Sequence, residues 1–276
     1  MKQFTFCFFL LFSICLFFNS CAPKPYTATN KIYKEKVKEF AGLISKHPGD
    51  DALDSLTKNT QWIGTTNFGV RKPNFVVLHH TAQNSCEKTL QTFTKDSTQV
   101  SAHYVICKDG TLHHMLNDYL RAWHAGIGKW GNTTDINSTS IGIELDNNGI
   151  DTFSEIQIHT LENLLAVLKK KYNIPTANFI GHLDIAPGRK VDPGVHFPWK
   201  RLADSGYGLW FGDTTNITVP DNFSTTMALR IIGYDVSDTF VAIQAFRQHY
   251  LLTTTVFGKL TEVEKKLLYT LMLKYL

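Results

Sequence analysis

The chain has no internal repeat, no low-complexity tract and no stripe of basic residues. The first two absences exclude a solenoid or a disordered linker as its main body. The third, with a formal net charge of only +4, leaves no expected nucleic-acid partner. Its one long apolar run, Phe4–Phe18, is too short and wrongly flanked to span a membrane. Cysteine is scarce: of five, Cys7 and Cys15 lie in that run and Cys21 just beyond it, so only Cys86 and Cys107 are left for a folded body. These two either pair in an oxidising compartment or stand as small buried hydrophobes. What remains is an ordinary globular composition over 276 residues, enough for one domain with a full core plus a smaller one.

Lys2 is the only charge ahead of Phe4–Phe18, the pattern of a signal-peptide core. The ending Leu16-Phe17-Phe18-Asn19-Ser20-Cys21 resembles a bacterial lipoprotein processing site, small residues before a cysteine that receives lipid, although Phe18 is larger than such sites usually carry. On this reading residues 1–20 are removed and Cys21 is acylated. The protein is then exported and lipid-anchored, and Ala22 in place of an aspartate points to the outer membrane, facing the periplasm. The alternative is an ordinary cleaved signal with Cys21 left free. Residues 22–30 have the Pro and Thr content of a tether. Tyr33, Val37, Phe40, Leu43 and Ile44 then recur near helical spacing, predicting a short amphipathic helix that His47-Pro48-Gly49-Asp50 ends.

Farther on the pattern is α/β. Phe75–Leu78 is a short apolar run, the mark of a strand buried on both faces. Ser85–Thr98 reads as a helix or half-ordered loop. Ala102–Ile106 and Thr111–Leu116 flank Asp109-Gly110 and predict a hairpin. In the strand Ser140–Leu145, Ile141, Ile143 and Leu145 share one face, and Ser140, Gly142 and Glu144 the other. Phe153–Tyr172 predicts a long amphipathic helix that returns the chain to a parallel strand at Phe179-Ile180. Pro198–Leu202 reads as a closing helix and Asp213–Asp221 as a linker. Met227–Ile232, Thr239–Tyr250 and Thr261–Leu276 give three helical patterns.

Two of these strands end in chemistry. His79 closes the run from Phe75, and His182 follows Phe179-Ile180 at the head of a Pro/Gly-punctuated loop that carries Lys190 and Asp192. Two imidazoles and a carboxylate can hold a catalytic zinc with one position left for water. Glu144, alone on its strand face beside a glycine and a serine, is placed to accept the proton of that water, its pKa raised by apolar surroundings. Lys190, two positions before Asp192, can support a developing oxyanion. Singly, each has a plainer reading: His79 as a core histidine, His182 and Asp192 as a capping pair, Glu144 as a salt-bridge partner, Lys190 as a solvated charge.

Together, Val77-Leu78-His79-His80-Thr81-Ala82, Ser101-Ala102-His103-Tyr104, Ala122-Trp123-His124-Ala125-Gly126, Ser140–Leu145 and Gly181-His182 through Lys190-Val191-Asp192-Pro193-Gly194 resemble, in order, the motifs of type-2 N-acetylmuramoyl-L-alanine amidases. The resemblance covers about residues 60 to 212. It implies the fold shared with peptidoglycan recognition proteins, a mixed central sheet flanked by helices. It also implies a zinc enzyme that cuts the amide between the lactyl group of N-acetylmuramic acid and L-alanine in peptidoglycan or muropeptides. Carried onto this chain, it makes His79, His182 and Asp192 the zinc ligands, Glu144 the catalytic acid/base, Lys190 the transition-state stabiliser, and Trp123 and His124 substrate-lining residues. The alternative is a non-catalytic muropeptide-binding lipoprotein on the same fold, whose relatives typically lack part of the ligand set. The three C-terminal helical patterns resemble a small peptidoglycan-binding module, from which the loop Phe257-Gly258-Lys259-Leu260 departs; wall binding and packing against the amidase both stay open. The expected organisation is a signal over 1–20, tether and helix over 21–58, a zinc amidase domain over 59–212, a linker over 213–222 and a three-helix domain over 223–276.

Overall fold

The computed structural model describes residues 24–45, 63 and 65–276, so the signal, Cys21 and the helix-ending segment His47–Asp50 lie outside the described residues. The chain divides into two units, residues 1–66 and 67–276. In the first, the amphipathic spacing forms helix α1, Thr27–Ser45, none of whose residues is buried.

The second unit is built on five strands: β1 (Phe75–His80), β2 (Tyr104–Ile106), β3 (Leu112–His114), β4 (Ser140–Leu145) and β5 (Phe179–Gly181), in the order β3-β2-β4-β1-β5. β1 lies between β4 and β5, parallel to both; β2 is parallel to β4, and β3 runs antiparallel to β2. The sheet is therefore mixed. The expected hairpin turns at Gly110, whose φ of +83° suits glycine, with Asp109 accepting from the Thr111 amide at 2.9 Å. Just before it, Cys107 is joined to Cys86 in a disulfide with Cα atoms 5.4 Å apart. Cys86 opens α2, Cys86–Thr94, which Ser85 caps.

Alternation along the strands splits the core in two. Val76, Leu78, Ile141, Ile143 and Leu145 pack on α4 (Glu155–Tyr172) through its Ile158, Leu161, Leu165 and Leu168. This helix starts where Ser154 accepts from the Gln157 amide and stops at Asn173 in the left-handed conformation. It passes over β1 to connect β4 with β5. Two short helical segments that the sequence pattern does not announce, α3 (Ile136–Thr139) and α5 (His182–Ile185), sit at strand ends, and α6 spans Trp199–Asp204.

The opposite face, carrying Val77 and Ile180, is closed by the C-terminal helices α7 (Thr225–Ile232), α8 (Thr239–Tyr250) and α9 (Glu262–Met272). Ala228, Leu229, Ile232, Phe246, Leu268 and Leu271 share one hydrophobic cluster with the strand residues. Inside this layer Arg247, fully buried, makes a two-pronged pair with Glu264 at 2.7 and 3.1 Å. The carbonyls of Gly258 and Lys259 also accept from the guanidinium at 2.9 and 3.0 Å. The unusual loop at Phe257–Leu260 thus turns its backbone inward on a buried charge, which is how buried charges are tolerated.

Candidate metal centre

Register puts the chemistry in one row. His79 on β1 is the partner of Glu144 on β4, and Leu78 is the partner of Gly181, so His182 emerges beside His79. Asp192 comes back to the same point because its carbonyl accepts from the Leu183 amide at 2.9 Å. His79, His182 and Asp192 are 1, 4 and 8% exposed. Their facing atoms form a triangle: His79 Nδ1 to His182 Nδ1 2.9 Å, and each of these to Asp192 Oδ2 3.0 Å.

The hydrogen-bond network fixes which ring nitrogens carry protons. Ser140 Oγ donates to the Ile136 carbonyl at 2.6 Å, so toward His124 Nε2, 3.1 Å away, it accepts. His124 Nδ1 is then bare and accepts from His79 Nε2 at 3.1 Å, which leaves His79 Nδ1 bare. His182 Nε2 donates to the Ala125 carbonyl at 3.1 Å, leaving its Nδ1 bare as well. Burial, with His182 adding to it, pushes His79 down to about 4, the neutral form that binds metals. Burial, helped by His79, likewise holds His124 well below its ordinary value.

Three lone-pair acceptors at about 3 Å with no proton between them repel one another, and a cation at their centre removes the conflict. Tetrahedral ligands at ~2.0–2.1 Å stand roughly 3.3 Å apart, close to this triangle. His79, His182 and Asp192 therefore form a group that can hold a metal ion.

Glu144 lies beside this group with its Oε2 buried and unpartnered. Burial and then the charge of Asp192 push its carboxyl up to about 8, against the pull of Lys190. A cavity of about 380 Å³ opens over the row, with Glu144, Lys190, Asp192 and Trp123 on its walls. Trp123 is 46% exposed there. His124 also lines this cavity but is buried, its ring against His79, and its backbone and that of Ala125 are held by Asn137 Oδ1 at 3.0 and 2.9 Å. The space for its ring exists because residue 142 is glycine: a Cβ there would stand 2.4 Å from His124 Cγ. The small face Ser140-Gly142 was the visible signal for this buried ring, but nothing local says which side chain fills it. Asn137 and the Ala125 carbonyl carry no signal of their own.

The structure thus brings together a group that can hold a metal ion, a carboxyl that can carry a proton and an open cavity above them. The family model described as N-acetylmuramoyl-L-alanine amidase matches residues 69–195. The N-acetylmuramoyl-L-alanine amidase AmiD of Escherichia coli is 33% identical over 207 residues, covering 63% of this chain and 74% of that relative. This chain belongs to the N-acetylmuramoyl-L-alanine amidase family. The 1,6-anhydro-N-acetylmuramyl-L-alanine amidase AmpD of Haemophilus influenzae is 38% identical over 108 residues, 39% of this chain and 59% of that one. Among solved structures, E. coli AmiD in complex with the substrate anhydro-N-acetylmuramic acid-L-Ala-D-gamma-Glu-L-Lys superposes with a TM-score of 0.65 at 29% identity, over 77% of this chain and 93% of that one. AmpDh3 of Pseudomonas aeruginosa, in complex with anhydromuramic pentapeptide, gives 0.66 at 28% identity, over 80% and 99%.

Proposed function

We propose that the chain is a zinc-dependent amidase that hydrolyses the bond between the lactyl group of N-acetylmuramic acid and L-alanine, with His79, His182 and Asp192 holding the ion. The observation that carries the reading is the triangle of bare acceptors beside the unpartnered Glu144, in a chain of this family. Bound there, zinc supplies Lewis acidity to the substrate carbonyl and lowers the pKa of water. Glu144 takes the proton from the attacking water and returns it to the departing amine of L-alanine. Lys190, on the cavity wall, offsets the negative charge that develops on the amide oxygen. Trp123 offers an aromatic flank to the glycan or the stem peptide.

The muropeptide complexes of AmiD and AmpDh3 support the substrate class. The signal-like N-terminus and Cys21 support an exported, lipid-anchored enzyme at the outer membrane, facing the periplasm.

Mass spectrometry of digested wall and of anhydro-muropeptides tests the bond: lactyl-bearing glycans free of peptide, with intact peptides beginning at L-alanine, are expected. Peptides cut internally would overturn it. Glu144→Gln should lower kcat by about 10²–10⁴-fold while zinc content, read by elemental analysis, stays at the wild-type level.

A further inference from the structure

Both halves of the segment that carries His182 and Asp192 are held from the far end of the chain. Asp184, two residues past His182 on α5, is fully buried. Its Oδ2 accepts from the Gly181 amide at 2.7 Å, which closes the turn that presents His182. Its remaining partners come from the C-terminal layer: Tyr234 donates to Oδ1 at 2.8 Å, and His249 Nδ1 lies 2.8 Å from Oδ2 and 3.0 Å from Oδ1. His249 is itself fixed between Trp199 and Tyr250, stacked at centroid distances of 3.9 and 4.1 Å.

The other half of the segment is held by the neighbouring residue. Gln248, buried on α8, donates its amide to the carbonyl of Val191, which stands between Lys190 and Asp192. About two helical turns back on that face, Val241 packs against Gly188: a Cβ at Gly188 would come within 2.9 Å of Val241 Cγ1. Val241, Ala245, Gln248 and His249 follow the i, i+4, i+7, i+8 spacing of one helix face. That face lies along the loop from Asp184 to Asp192 and meets it at its start, middle and end.

We infer that α8, with Tyr234 from the segment that precedes it, is a positioning element of the candidate metal centre: His249 and Tyr234, through Asp184, set His182, and Gln248, through Val191, sets Asp192. None of the three touches the candidate ion, and each acts through the backbone or side chain that carries a ligand. The C-terminal helices on this account finish the amidase site, whether or not they also meet the wall. Neighbours that orient metal ligands are commonly worth 10–100-fold in metal affinity. The inference rests on the zinc reading of the triangle, which a direct binding measurement separates from it.

The full chain is loaded with zinc and titrated against a chromophoric chelator, and unfolding temperatures are recorded alongside. His249→Phe, which keeps an aromatic ring in the stack and loses the hydrogen bond, Tyr234→Phe and Gln248→Leu are each expected to weaken zinc binding, by 10–100-fold for His249→Phe and Gln248→Leu. His249→Asn, whose side-chain amide can replace the imidazole Nδ1 as donor, should restore most of it. Leu165→Ala on α4 is the control: it destabilises the opposite face of the sheet and should leave zinc affinity unchanged. If Tyr234→Phe and Gln248→Leu fold and bind zinc as tightly as wild type, or if Leu165→Ala weakens binding as much as they do, the inference falls. A wild-type chain that takes up no zinc overturns the reading of the triangle itself, and this inference with it.

Discussion

The two faces of the central sheet are closed by different chemistry. On the α4 side the interior is mainly aliphatic and aromatic: the helix is held by Leu161, Leu165 and Leu168 with its own cap at Ser154, and the buried polar groups are few, Gln157 donating to the Ile106 and Asp146 carbonyls and Asp118 accepting from Tyr104 and Tyr172. On the other side the same kind of aliphatic cluster is interrupted by buried polar groups: Asp184, Arg247, Gln248, His249 and Glu264. The difference follows from what each face must do. Strand alternation sends His79 and Glu144 to the second face, so the layer that covers it must close an apolar core and still leave ligands aimed and satisfied. A purely greasy layer can do the first, but every unpaired polar atom it buried would cost about 1–3 kcal/mol.

The comparison is broken most sharply at Arg247. Removing its side chain by Arg247→Ala leaves Glu264 buried without its partner, and urea unfolding should show a loss of about 3–5 kcal/mol. On the α4 side the buried carboxylate is Asp118, and its cation, Lys171, is half-exposed while Tyr104 and Tyr172 also donate to it, so losing one partner there strands less charge. The same pair gives the C-terminal face a pH dependence. Its hydrogen bonds to Arg247 hold Glu264 down to about 2 from an ordinary 4.5. Because the folded value lies below the unfolded one, the associated stability is fully present above about 4.5 and fades as pH falls toward 2. It amounts to about 3 kcal/mol, and Glu264→Gln should flatten that part of the stability curve. The smallest effect sharpens the contrast from the apolar side. Ser154→Ala removes the cap of α4 and should lower stability by about 1 kcal/mol, with no change in zinc affinity.

Much of this was legible in the sequence, and the reasons are local. The runs Phe75–Leu78 and Ser140–Leu145 marked two strands, and alternation gave the two faces of the second; that they are parallel neighbours is what the fold adds. Helix α4 and α7–α9 followed from 3.6-residue spacing, α8 to its end residues. His79 and His182 could be picked out because each stands where an apolar run meets a loop, and Asp192 because it sits in the Pro/Gly loop that follows His182; the fold does bring the three together. The illegible parts depend on distant partners. Nothing near His124 says that its ring meets His79 on one side and Ser140 on the other. Whether Cys86 meets Cys107 depends on a Cα separation that spacing does not give. The turn α5 is too short for periodicity, and Asp184 finds His249 across 65 positions. Polar residues on a helix of mixed character look solvated until the surface they meet is known, so Gln248 and His249 carried no sign of their role.

The contact between Asp184 and His249 has a further bearing on how the protein is made. His79, Glu144, His182 and Asp192 have all left the ribosome well before Tyr234, so a nascent or truncated polypeptide ending near residue 220 possesses every candidate ligand and lacks both C-terminal partners of Asp184. If the C-terminal layer sets the ligands as inferred, such a fragment is a candidate ligand set without its frame, and the corner takes its final shape only when residues 221–276 have been made.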